Sequence, residues 1–178
     1  MKTIVKTFEV FELSELKGVN YRNALDAVSR QASEDWAEFE SYELLESLKE
    51  SAEHFGMKVT DYSIGLYDRS YVKVETGYFE EEQAEHAVQW IADNYKEGAD
   101  GTCPFTGVYF DCFFFDYFVK NGVPTEDNVK DEIVRAIGYM LETAVDNAEK
   151  DMMDDDSLLD YAISNELSFL SDGAIYHG

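Results

Sequence analysis

A chain with 38 aspartates and glutamates against 14 lysines and arginines, a formal charge of −24 over 178 residues, has to fold against its own repulsion. That demands an ample apolar core, and 45% of the residues are hydrophobic and 15% aromatic, more than a disordered acidic tail contains. The expectation is a folded domain with a strongly negative surface. Such a surface repels nucleic acid and anionic lipid and attracts basic protein grooves, so neither direct nucleic-acid binding nor membrane association is expected. Length predicts one domain, 1–178; if it has two lobes, the stretch near residues 98–102 divides them.

The N-terminal Met1–Lys6 has no apolar signal core, and no apolar run reaches the roughly 20 residues of a membrane span, which predicts a cytoplasmic protein. Cys103 and Cys112 are too few for a disulfide framework and match no paired-thiolate zinc spacing. They are expected to be ordinary, mostly buried thiols.

Periodicity then sorts the chain. Thr3 to Phe11, with Ile4, Val5, Phe8, Val10 and Phe11, predicts a strand. Ser14 is the expected cap of a helix whose inner face is Tyr21, Ala24, Leu25, Val28 and Ala32, with Gly18 and Asn20 delaying its start and a break near Ser33 to Glu40. From Ser41 a second helix aligns Leu45, Leu48, Ala52 and Phe55, and Gly56 stands where a left-handed residue ends it. Met57 to Thr76 changes to strand formers around Asp68-Arg69 and predicts a hairpin. Glu80 to Glu82 opens a helix with Ala84, Ala87, Val88, Ile91 and Tyr95 inside, ended by Gly98, and Gly98 to Gly101 reads as a linker.

The aromatic run from Tyr109 to Phe118 fits helix and strand alike, and an exposed remainder of it is a candidate interface. Thr125 caps a helix lined by Val129, Ile133, Ile137, Met140, Leu141, Ala144 and Ala148. Ser157 is the expected cap of a short helix after the acidic cluster, and Leu167 to Leu170 is a candidate strand. Runs of helix and strand without strict alternation predict an α+β fold: a small antiparallel sheet or hairpin packed with four to five helices.

Glu43, Glu46, Glu50 and Glu53 recur at helical spacing opposite the apolar stripe, and Lys49 is the only lysine or arginine from Ser41 to Phe55. A helix built only for stability profits from more glutamate–lysine pairs. With about 1.5 Å of rise per residue, neighbours in this stripe stand roughly 4.5 to 6 Å apart along the axis, of the order of the phosphate spacing on a nucleic-acid strand. Asp151, Asp154, Asp155, Asp156 and Asp160 form a second acidic group, without the glycine and terminal glutamate of a calcium loop. His54, His86 and His177 lie in no zinc-hydrolase pattern, Cys112 lacks an orienting acid, and Gly98 to Gly101 has no following lysine and serine. No catalytic residue, cofactor or metal is expected, and the nine acids are the candidate partner contacts.

Four segments carry a resemblance. Thr7-Phe8-Glu9-Val10-Phe11-Glu12-Leu13-Ser14-Glu15, Asp61-Tyr62-Ser63-Ile64-Gly65, Cys103-Pro104-Phe105-Thr106-Gly107-Val108-Tyr109-Phe110-Asp111 and Asn165 to Tyr176 together resemble small acidic proteins of phages and mobile elements, many with an antitoxin-type label. In size and acidity the chain is also similar to anti-CRISPR and antirestriction proteins. The resemblance implies a phage context and transfers no catalytic residue. Combined with the charge, it leads to the expectation of a non-enzymatic nucleic-acid mimic that occupies the basic channel of a Cas9-type nuclease in the bacterial cytoplasm. An antitoxin against a basic toxin and an antirestriction mimic are the alternatives.

Overall fold

Apolar residues at three- and four-residue spacing bury one side of six α-helices, and one antiparallel hairpin accompanies them, so the described residues form an α+β fold. The computed structural model describes residues 7–77, 79–101 and 103–177. In chain order the elements are α1 (Val19–Asp35), a π-helical turn (Trp36–Glu40), α2 (Ser41–His54), β1 (Lys58–Ser63), β2 (Tyr71–Glu75), α3 (Ala84–Ala99), α4 (Asp111–Asn121), α5 (Val129–Asp151) and α6 (Asp155–Ser164). No helix among the described residues is long and apolar enough to cross a membrane. Two compact units result: Met1–Trp36 with Glu149–Gly178, and Ala37–Ala148. The divisions fall at Trp36/Ala37 and Ala148/Glu149, and residues 98–101 lie inside the second unit.

In the first unit, α1 buries Ala24, Leu25, Val28 and Ala32, and α6 packs on it through Leu158 and Ala162 around Leu13, Leu16 and Phe169. The expected N-terminal strand shrinks, in its described part, to one bridge. Phe11 and Phe169 exchange backbone hydrogen bonds of 2.8 and 2.9 Å, and Phe169 also bridges Ile175. Ile4 and Val5 lie outside the described residues. Phe169 is likewise the only residue of the Leu167 to Leu170 candidate strand that bridges. Gly173, at φ 93°, makes the turn that returns the chain, and a Cβ there would stand 2.4 Å from the Asn20 carbonyl oxygen. Ser14 caps no helix. It lies in a 3₁₀ turn, Leu13–Glu15, where the Glu12 amide donates to Glu15 Oε2 at 2.9 Å, and α1 begins only after Gly18.

The break expected near Ser33 to Glu40 takes the form of a π-helical turn between α1 and α2, in which Trp36 is buried, and Ser41 Oγ donates to the Ala37 carbonyl at 2.7 Å. α2 ends as its sequence predicts: at Gly56, φ 67°, the Gly56 amide donates to Glu53 and the Met57 amide to Ala52, both at 2.9 Å, the paired bonds of a Schellman cap. β1 and β2 then pair antiparallel, with an irregularity between Val59 and Asp61.

The aromatic run is resolved as α4, preceded by Tyr109 and Phe110, because Phe110, Phe114, Phe115 and Phe118 fall on one face at helical spacing. Phe110, Phe114, Phe115 and Phe118 are fully buried, each contributing about 1.5–3 kcal/mol of apolar burial. Phe114 stacks on Phe55, and Phe115 lies parallel to Phe105 with centroids 5.7 Å apart. Of the run's tyrosines and phenylalanines, Tyr109 alone is strongly exposed. Gly98 does not end α3. It is buried within it, where a Cβ would come 2.3 Å from Phe115 Cδ2, so the glycine permits α3 to approach α4. α5 buries Val129, Ile133, Ile137, Met140, Leu141 and Ala144 as the spacing predicts, and also Ala136 and Val145. Before its first turn, Asn128 Oδ1 accepts from the Thr125 amide at 2.8 Å.

Candidate partner-binding surface

α2 places its two faces as the spacing requires. Leu44, Leu45, Ser47, Leu48, Ser51 and Ala52 are buried, while Glu43, Glu50 and Glu53 are exposed on the opposite side. Glu46 is half-exposed and is not solitary: Lys49 Nζ stands 2.8 Å from its Oε1. The hydrogen bond to Glu46 holds the Lys49 ammonium above its ordinary range against desolvation, with the Glu46 charge and then Tyr62 and Tyr42 adding to the rise. The stripe therefore presents three exposed acids with no ion pair among the described residues and one paired with Lys49. Phe39 on the preceding π turn and Tyr42 in the first turn of α2 stand 61% and 63% exposed. The second unit, 24 acidic and 8 basic residues, carries −16 of the total; the first, 14 and 6, carries −8.

The second acidic group belongs to the first unit and divides by role. Asp154, not Ser157, caps α6: its Oδ2 accepts from the Ser157 amide at 2.8 Å and from Ser157 Oγ at 2.9 Å. Those bonds, the amide's first, hold the Asp154 carboxyl below its ordinary range. Asp151, Asp155, Asp156 and Asp160 are exposed. Met152 between them is buried, its carbonyl accepting from Ser29 Oγ of α1 at 3.0 Å. Among the described residues no three histidines, cysteines, aspartates or glutamates converge so as to hold a metal ion.

Among the described residues, sequence reasoning missed a fully buried acid, Asp111. Asp111 Oδ2 accepts from the Phe105 and Thr106 amides at 2.9 and 2.8 Å, Oδ1 accepts from Thr106 Oγ1 at 3.0 Å, and Thr106 Oγ1 is 3.0 Å from Ser47 Oγ. Asp111 and Thr106 stand close in the chain, but Ser47 gives no hint of being their partner until α2 is folded. His54 lies with its ring 4.2 Å from that of Trp90, and partial desolvation there lowers its pKa. Cys103 and Cys112 are both half-buried, with their sulfurs 3.9 Å apart. Burial first, then the hydrogen bond to Cys103, pushes the Cys112 thiol up to about 11.

The chain matches no family model, no curated protein and no solved structure. Two of the four segments singled out in the sequence meet in the fold, and a third encloses a carboxylate. The first and last meet at the Phe11–Phe169 bridge, and the Cys-Pro-Phe-Thr-Gly loop wraps the Asp111 carboxylate.

Proposed function

We propose that this protein is a non-enzymatic inhibitor of the anti-CRISPR kind, a nucleic-acid mimic that occupies the basic channel of a Cas9-type nuclease. The observation that carries the reading is the outer face of α2, where Glu43, Glu50 and Glu53 face solvent beside Glu46 in the more acidic unit. Such a channel grips heteroduplex through its backbone and reads the adjacent motif with arginines. Carboxylates repeated at helical spacing compete for those cations. Phe39 and Tyr42 add exposed apolar area next to the acids, the composition of interfaces that hold on after electrostatic encounter. Asp151, Asp155, Asp156 and Asp160 are a second acidic surface available to the same kind of partner. A non-catalytic role accords with a Cys112 thiol that is protonated at neutral pH.

The test is anisotropy of labelled target DNA on guide-loaded nuclease, with and without this protein. Wild type should displace the DNA, and Glu46→Lys with Glu50→Lys should lose at least tenfold in potency while its far-ultraviolet circular dichroism and melting cooperativity stay those of a folded domain. Equal potency in the folded double variant removes the α2 face from the mechanism. Failure of wild type to displace DNA, together with tight capture of a basic toxin, replaces the reading with an antitoxin.

A further inference from the structure

We infer that Cys103 and Cys112 are a dithiol site, which a small-molecule disulfide such as oxidised glutathione closes into an intramolecular bridge that clamps the loop between α3 and α4. Two observations carry it. The sulfurs already stand 3.9 Å apart, one in the loop and one in the first turn of α4, so a bond of about 2.05 Å requires them to converge by only about 2 Å. Independently, the loop is already tied back to the start of α4, because the Phe105 and Thr106 amides both donate to Asp111, the neighbour of Cys112. The ends that the bridge would join are thus held together before any oxidation, and the closure asks little of the backbone.

The exchange balances without a further reagent. The Cys103 thiolate attacks one sulfur of the small disulfide, forms a mixed disulfide and expels one thiolate, which takes up a proton. Cys112 then gives its proton to water and attacks the Cys103 sulfur, and the S–S bond to the second small thiolate breaks. Two protein thiols are oxidised while one small disulfide is reduced to two thiols. Facing Cys112 are Cys103, Asp111 and Asp116, and burial holds its proton tightly, so Cys103 is the first nucleophile and Cys112 the resolving one.

The experiment uses the reduced full chain, incubated with oxidised glutathione, denatured, alkylated with iodoacetamide and weighed intact. The expected product resists alkylation at both cysteines, is lighter by about 2 Da, and yields one peptide pair linking residues 103 and 112. Its melting temperature rises by several degrees, as for a short closed loop, and dithiothreitol reverses the shift. In Cys112→Ser the reaction stops at one glutathione adduct on Cys103. Two alkylatable thiols, adducts on both cysteines, or disulfide-linked dimers from the wild-type chain overturn the assignment.

Discussion

At Asp111 one carboxylate fixes the loop that leads into α4, and its geometry separates two substitutions that look alike in sequence. Asp111→Asn keeps one oxygen for the Phe105 and Thr106 amides and turns an NH₂ toward Thr106 Oγ1. Thr106 then accepts from it and redirects its own proton to Ser47 Oγ, 3.0 Å away. Only the charge assistance is lost, which predicts a cost of about 1–2 kcal/mol. Asp111→Ala leaves both amides without that acceptor in the interior and should cost about 3–5 kcal/mol. Urea unfolding of the two variants checks the order. If alanine costs no more than asparagine, the amides have found other acceptors and the loop is not built on this carboxylate.

Two glycines in helices make the corresponding case at the scale of elements. Replacing either by alanine favours helix by about 1 kcal/mol, yet their surroundings set opposite signs. At Gly138 in α5 a Cβ meets nothing within 4 Å, so Gly138→Ala should raise the melting temperature. At Gly98 the Cβ would lie 2.3 to 2.7 Å from three atoms of Phe115, a ring hemmed in by Phe105 and Trp90. Gly98→Ala should therefore lose about 1–3 kcal/mol net. Thermal melts of the pair test this, and a stabilised Gly98→Ala would mean that α3 and α4 are free to separate. The same residue explains what the sequence could and could not disclose. Gly56 follows a completed apolar stripe and was legible as a cap. Gly98 also follows one, but its reason is a ring on another helix, so the same letter misleads. The α2 acids were legible because their spacing is local; the Asp154 cap is local too, yet Ser157 is an equally plausible capping residue until the backbone is seen. The state of the aromatic run was not legible, since apolar residues on every side erase the period that separates helix from strand.

For the whole molecule, charge acts in two directions that salt can separate. A net −24 opposes folding through self-repulsion, and between about 20 and 500 mM NaCl the screening length contracts from about 20 Å to about 4 Å. The melting temperature should therefore rise with salt. Binding to a basic channel runs the other way, because the same screening weakens attraction across the interface, and affinity should fall at least tenfold over that range. Glu46→Lys with Glu50→Lys changes the net charge from −24 to −20; the salt dependence of folding should then shrink slightly, while that of binding shrinks sharply if the altered acids are contacts. Calorimetric melts and binding isotherms measured on the same salt series distinguish these effects. Affinity that is flat in salt would place the partner on apolar surface, and the acids would then be a solvated coat whose cost the buried phenylalanines of α4 help to offset.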